Sequence, residues 1–337
     1  MSEFGPVDRE FVQSLPKCEL HLHLEGSLRP DTMRRLAARN GVDLEDDLER
    51  RYTYDGFDHF LELFLMGLRV LRTGEDFADA VEALAGELAA QNVRYAEVTT
   101  TAFSHNRRQV AMADYAAGLN AGRAAARQKH GVELGWVIDI PREIEPPESP
   151  FTTDFVTGPL APEGLVGIGL GGPEPGNPPE PYEQAFARVR AAGLRSLPHA
   201  GETEGPASVR GALEALGAER IGHGVRSVED PALVDELGTR GTHLEVSLTS
   251  NVALQVVSEI DEHPLPALLE AGLSVGLNTD DPAYFSTTLN DELLLAATSF
   301  GLSRADLVAL QAAAFRASSL PQDRTAEFLA DLSRVST

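Results

Sequence analysis

The sequence predicts an α/β fold, a (β/α)8 TIM barrel, on three observations. Short apolar runs alternate with helical stretches, eight such runs can be placed, and the conspicuous histidine and carboxylate clusters fall where four of the runs end. The 337 residues suit a single barrel domain spanning 1–337, because barrels of this kind commonly run to ~250 residues or more as one unit.

The eight runs are 18–24, 94–99, 134–140, 165–170, 196–199, 220–222, 243–246 and 274–278. Most are rich in Val, Ile or Leu, as strands buried on both faces are. Between them, 77–91, 182–192 and 231–240 place apolar residues at helical spacing. Alternation alone also fits a doubly wound open sheet. Between the first two runs, the stretch GFDHFLELFLM at 56–66 is more apolar than one helix face requires. It is read as a helical insertion after the first strand: either a lid over a pocket, spanning 57–72, or an ordinary helix packed on the barrel. The Pro- and Gly-rich stretches 141–164 and 171–181 are expected to be irregular loops after the third and fourth strands. The stretch 289–335 reads as several amphipathic helices closing the barrel, and no repeat or low-complexity tract interrupts the chain.

Composition narrows the function. Lys and Arg total 28 against 52 Asp and Glu, a net charge of -24, which repels nucleic-acid backbones and anionic membrane surfaces. No stretch approaches the ~20 apolar residues of a membrane span, and the first residues lack a signal-peptide pattern. The lone Cys18 excludes an intramolecular disulfide and is read as a buried structural residue of a reducing compartment. The expectation is a soluble, cytoplasmic protein acting on a small molecule, with no oligomeric state legible.

Four clusters carry the chemistry. His21 and His23 alternate with Leu20, Leu22 and Leu24, so both imidazoles project to one face of a strand, as metal ligands or as satisfied core residues. A short apolar strand runs into His199, followed by a small-residue turn bearing Glu202. His223 is flanked by Gly222 and Gly224, which let another group approach the backbone closely. Asp280 and Asp281 stand together before Pro282, where a turn or helix cap is the plain alternative. In a barrel, all four clusters lie at C-terminal strand ends, where such folds assemble active sites.

In this order and spacing, HLHLEG at 21–26, HAGE at 199–202, HG at 223–224 and TDDP at 279–282 resemble the adenosine and adenine deaminase family of the amidohydrolase superfamily. The resemblance covers nearly the whole chain. It implies one Zn²⁺ per chain held by His21, His23, His199 and Asp280, with a water completing the site. It further implies that Glu202 protonates purine N1, that His223 orients or deprotonates the water, and that Asp281 contacts N7. Because a carboxylate and N7 are both acceptors, that last contact needs a proton on one of them, expected on the acid. The Gly172 amide is carried over as the contact to purine N3, and Glu25 as a substrate-binding residue near the sugar 5' position. Binuclear relatives bridge their metals with a mid-barrel lysine, whereas Lys17 and Lys129 both precede strands.

The implied activity is hydrolytic deamination of a 6-aminopurine nucleoside, adenosine or 2'-deoxyadenosine to inosine or 2'-deoxyinosine plus ammonia. Alternatives are aminodeoxyfutalosine deamination in menaquinone synthesis, then adenine deamination, then non-catalytic purine binding. Three departures bear on the choice. Gly169 and Glu25 stand where nucleoside deaminases commonly have Asp, and Ser247-Leu248 replaces a usual Cys-Pro. Gly222 matches the nucleoside-acting enzymes, since adenine deaminases typically carry Asp there. His59, in the candidate lid, is a further candidate for a substrate contact, while His105, His130, His243 and His263 are read as surface or supporting residues.

Overall fold

Parallel strands pair in the order in which the chain makes them. The computed structural model describes residues 7–44 and 57–335. The first four strands are β1 (Lys17–His23), β2 (Val93–Thr100), β3 (Glu133–Pro141) and β4 (Leu165–Gly171), each in parallel register with the next. β5 comes in two pieces, Arg195–Ser196 and His199–Ala200, followed by β6 (Arg220–His223), β7 (His243–Val246) and β8 (Ser274–Leu277).

The break in β5 falls at Leu197 and Pro198, and proline has no N–H to give a ladder. Its first piece pairs with β4 and its second with β6, while Leu197 N still donates to Ile168 O at 2.9 Å and Gly222 N to Pro198 O at 3.0 Å. The other seam joins β8 to β1. There Leu22 forms a parallel bridge with Asp280, His23 N donates to Asp280 O at 2.8 Å, and Asp280 N donates to His21 O at 3.1 Å. Lower on that seam, Asn278 Oδ1 accepts from Leu20 N and His21 N at 2.8 and 3.1 Å. A side chain thus replaces missing ladder bonds, and hydrogen bonds cross both seams between the two parallel sheets, the arrangement of the expected barrel fold.

The helices Leu289–Phe300, Arg304–Ala317 and Gln322–Val335 follow β8 as expected, and the middle one packs on β8 and β1. Its Gln311 Oε1 accepts from the N–H of Cys18, which is buried as expected. One expectation fails: the stretch 141–164 is not wholly irregular, since a helix, Phe151–Thr157, forms within it. Glu145 lies upstream and accepts from Ser149 Oγ, Thr152 N and Thr152 Oγ1, satisfying a first-turn amide from outside the helix. Local periodicity carries no such signal.

The insertion after β1 contains the helix Phe57–Val70. Phe60 stacks against Phe285 with ring centroids 5.4 Å apart, and Phe64 stands edge-on to His23 at 6.4 Å. The helix therefore walls the mouth of the barrel as well as packing on it. Residues 45–56 lie outside the described residues, as does the side chain of His59. Among the described residues no helix is long and apolar enough to cross a membrane.

Candidate active site

The C-terminal strand ends bring the four clusters together. β1 supplies His21 and His23, the second piece of β5 supplies His199, β6 ends in His223, and Asp280 follows β8. His223 and Asp280 both have left-handed backbones, φ 63° each, a conformation that non-glycine residues adopt at a cost of roughly 1–3 kcal/mol. The strain turns both side chains into the barrel mouth.

The donor atoms crowd without the pairing that neutral polar groups would seek. His21 Nε2 lies 3.4 Å from Asp280 Oδ1, His23 Nε2 lies 3.3 Å from the same oxygen, and His23 Nε2 faces His199 Nε2 at 3.2 Å. Donors around one tetrahedral ion at about 2.0–2.1 Å are separated by about 3.3 Å, so this spacing fits ligands of a single cation. His21, His199, His223 and Asp280 also bring ligand atoms within 4.8 Å of one another, and His23, Asp280 and Asp281 form a second such group sharing Asp280. Burial works against the charged forms. Even so, hydrogen bonds to Asp280 and Glu245 hold His21 up at about 10, the Asp281 and Asp280 charges hold His23 up at about 9, and the two histidines hold Asp280 well below the carboxylate range. A cation would take the place of those protons.

Carboxylates also stand behind two of these histidines, as they commonly do behind metal-binding imidazoles. His21 Nδ1 bonds to Glu245 Oε2 at 3.0 Å, and His199 Nδ1 lies 3.7 Å from Asp139 Oδ2. Glu245 and Asp139 were not singled out in the sequence, although each is an acid flanked on both sides by apolar residues of its strand.

Beside the donors opens a cavity of about 730 Å³, its mouth included, bounded by His23, Glu202, His223 and Asp281 and by the helix Phe57–Val70. Glu202 is buried, and burial, then the charges of Asp280 and Glu174, pushes its carboxyl well above the usual range. Asp281 is raised well above its usual range by burial and by Asp280, and its Oδ1 has no hydrogen-bond partner among the described residues. Both shifts favour the neutral carboxylic acid at the cavity. Burial pushes His223 down to about 4, so it is neutral, with Nε2 3.7 Å from Glu202 Oε2.

The turn carrying Glu202 is held by an unexpected residue. Glu174 accepts from the backbone N–H groups of Gly201, Glu202, Thr203 and Glu204 at 2.6–3.0 Å and from Ser208 Oγ at 2.6 Å. Those bonds outweigh the cost of burial and lower its pKa. Its only sequence signal was its place in the Gly-Gly-Pro-Glu string at 171–174.

The remaining expected residues divide. Gly172 lines the cavity with φ 88°, and a Cβ there would meet Glu143 Oε2. Glu25 is fully buried and does not line the cavity; its Oε1 accepts from Thr100 Oγ1 at 2.7 Å, from Thr101 N at 3.2 Å and from His105 Nε2 at 2.8 Å. Gly169 has a plain reason to lack a side chain, since a Cβ would lie 1.9 Å from Asp139 Oδ1. Gly222 is similar, its Cβ position lying 2.6 Å from His21 Cε1. After β7, Leu248 N and Thr249 N donate to Glu292, and Ser250 Oγ donates to Asp280 Oδ2 at 2.6 Å. Lys17 stands at the start of β1, donating to Leu15 O and Gln91 O, and Lys129 pairs with Glu82. Neither reaches the donors.

Comparison with known proteins agrees with this geometry. The family described as adenosine deaminase matches residues 16–335. An aminodeoxyfutalosine deaminase of Streptomyces avermitilis is 41% identical over 327 residues, covering 96% of this chain and 91% of that protein. An adenine deaminase of Streptomyces coelicolor is also 41% identical over 327 residues, covering 95% and 96%. Among solved structures, an adenine deaminase from Arthrobacter aurescens superposes with a TM-score of 0.91 at 34% identity, covering 95% of this chain and 98% of that one. An amidohydrolase from Burkholderia ambifaria with bound Zn superposes with a TM-score of 0.91 at 26% identity, covering 99% and 96%.

Proposed function

The chain belongs to the adenosine deaminase family, whose deaminases bind a metal, and from that premise we propose that it is a zinc-dependent hydrolase releasing ammonia from a 6-aminopurine nucleoside. One observation carries the reading: a cation-spaced donor set shares a cavity with two carboxylic acids that burial keeps protonated. One Zn²⁺ held by His21, His23, His199 and Asp280 would act as a Lewis acid and lower the pKa of a water towards ~7.

The protein's own groups then have distinct tasks. Glu202 holds a proton that it delivers to purine N1, which lets the ring accept electrons as C6 is attacked. Asp281 donates from its protonated oxygen to N7, an acceptor that a carboxylate would repel. His223, neutral, orients the water. The apolar side chains Phe60, Phe64 and Leu68 exclude bulk solvent from the cavity and thereby strengthen these contacts. Left as a carboxylate, Glu202 takes the proton of the hydroxyl added at C6 and passes it to the amino group, so that the C6–N bond breaks with release of ammonia and a carbonyl remains at C6, and the proton of the next water restores the acid.

The choice of nucleoside rests on Gly222. Gly222 stands where adenine deaminases typically carry Asp, and with His21 Cε1 2.6 Å from its Cβ position a side chain there would require His21 to shift, which supports a nucleoside over free adenine. Relatives named for aminodeoxyfutalosine are 41% and 42% identical and one named for adenine is 41% identical, so identity supports these two substrates about equally and ahead of adenosine, and Gly222 is what puts the nucleoside first. The cavity reaches beyond the donors to Leu61, Leu65 and Ser104, leaving room for a 5' substituent. The test is ammonia release by zinc-loaded protein, comparing kcat/KM for aminodeoxyfutalosine, adenosine, 2'-deoxyadenosine and adenine. A preference for adenine would overturn the nucleoside reading, and silence on all four would overturn the deaminase reading.

A further inference from the structure

We infer that His263 and Asn251 form a relay that sets the tautomer of His223, placing its proton on Nε2, the nitrogen facing Glu202. The inference rests on the deaminase reading only for its catalytic consequence.

The polarity of the relay is set at its far end. Leu265 N–H donates to His263 Nδ1 at 3.0 Å, and a backbone N–H can only donate, so Nδ1 carries a lone pair. His263 is buried, and burial pushes its pKa down to about 4, so the ring is neutral and its single proton sits on Nε2. That N–H faces Asn251 Oδ1 at 3.0 Å.

The contact orients the Asn251 amide, a side chain whose two ends its hydrogen-bond partners must distinguish. With Oδ1 accepting from His263, Nδ2 points the other way and meets His223 Nδ1 at 3.4 Å. An amide nitrogen only donates, so His223 Nδ1 accepts, and a neutral ring must then hold its proton on Nε2. The same amide disfavours the imidazolium, because two N–H donors would face each other in a fully buried setting. Asn251 is fixed in turn by the helix Leu248–Ala253, where its own N–H bonds to Ser247 O at 3.0 Å.

The chemical consequence is specific. A ring protonated at Nε2 has no lone pair on that atom, so His223 cannot take a proton there. It donates a hydrogen bond into the cavity, orienting a nucleophile and stabilising developing negative charge. Asn251 and His263 are positioning residues.

The test reads the proton directly. Histidine-labelled, zinc-loaded protein at neutral pH is examined by ¹⁵N NMR, with His223 assigned from the His223→Gln spectrum. The expected result is a protonated Nε2 and an unprotonated Nδ1; a proton on Nδ1 overturns the relay. Asn251→Asp supplies an acceptor in place of the donor and is expected to move the proton to Nδ1, with kcat falling about 10- to 100-fold while KM and zinc content hold. An unchanged kcat would overturn the catalytic consequence, and the wild-type spectrum decides the tautomer even if that variant fails to fold. A wild-type enzyme inactive on every 6-aminopurine but protonated at Nε2 would sink the proposed function and leave the relay standing.

Discussion

Two buried ionic clusters occupy the barrel interior, and they differ in how completely they are paired. Toward the N-terminal strand ends, Arg220 Nε donates to Glu245 Oε1 at 2.5 Å, Nη2 to Glu97, and Nη1 to Ala317 O at 3.0 Å. Glu97 also accepts from Tyr95 Oη at 3.0 Å and from Ser319 N at 2.7 Å. At the C-terminal ends, by contrast, His199 Nδ1, Asp139 Oδ1 and Asp281 Oδ1 are buried without a hydrogen-bond partner among the described residues, beside two left-handed residues. Buried polar groups are ordinarily satisfied, so the first cluster reads as structure and the second as a place kept for a ligand. Glu245 belongs to both, with one oxygen on Arg220 and the other on His21.

If that division holds, substitutions in the two clusters should fail in different ways. The largest effect is expected at Glu202→Gln, which should keep fold and metal but lose several orders of magnitude in kcat, because N1 protonation is lost. Steady-state rates with metal analysis check this, and near-normal turnover would remove Glu202 from its role. Next comes Arg220→Leu, which leaves Glu97 and Glu245 buried without their cation and should cost about 3–5 kcal/mol of stability in denaturant melts. A small stability loss with a large kcat loss would erase the contrast between the clusters.

Asp139→Asn sharpens the boundary. Its carboxylate faces His199 Nδ1, so zinc affinity should weaken about 10- to 100-fold in competition with a chelator while the melting of the metal-free protein changes little. Unaltered affinity would show that Asp139 does not orient His199.

The smallest expected effect is a pH slope remote from the donors. Burial lowers His243 from its ordinary 6.5 to about 4, so the unfolded chain takes up its proton first as pH falls. Its contribution is therefore full above pH 6.5 and lost toward pH 4, at up to about 1.4 kcal/mol per pH unit. His243→Asn should flatten the slope of unfolding free energy over that window. An unchanged slope would mean that His243 is not held neutral by the fold.

Much of this was legible before any coordinates. Strand alternation at 18–24 put His21 and His23 on one face, and short apolar runs ending in His199, His223 and Asp280 marked the strand ends. That a contact between Asp281 and N7 needs a proton on one of the two, expected on the acid, was read from acceptor meeting acceptor, while the burial that raises the Asp281 pKa is visible only in the fold.

The sequence by itself therefore determined the alternation of strands and helices and the clusters at the strand ends, because these are written in local periodicity and in residues adjacent along the chain, and the resemblance those clusters carry implied the deaminase chemistry. Tertiary structure alone decided that Asp139 fills the space above Gly169, that Glu174 clamps the turn of Glu202, that Glu25 turns into a buried pair with His105, and that His263 acts on His223 through Asn251. Each of these joins groups on different elements of the barrel. Whether two such groups meet at hydrogen-bond distance depends on strand register and barrel closure, and no periodicity within either segment encodes that distance.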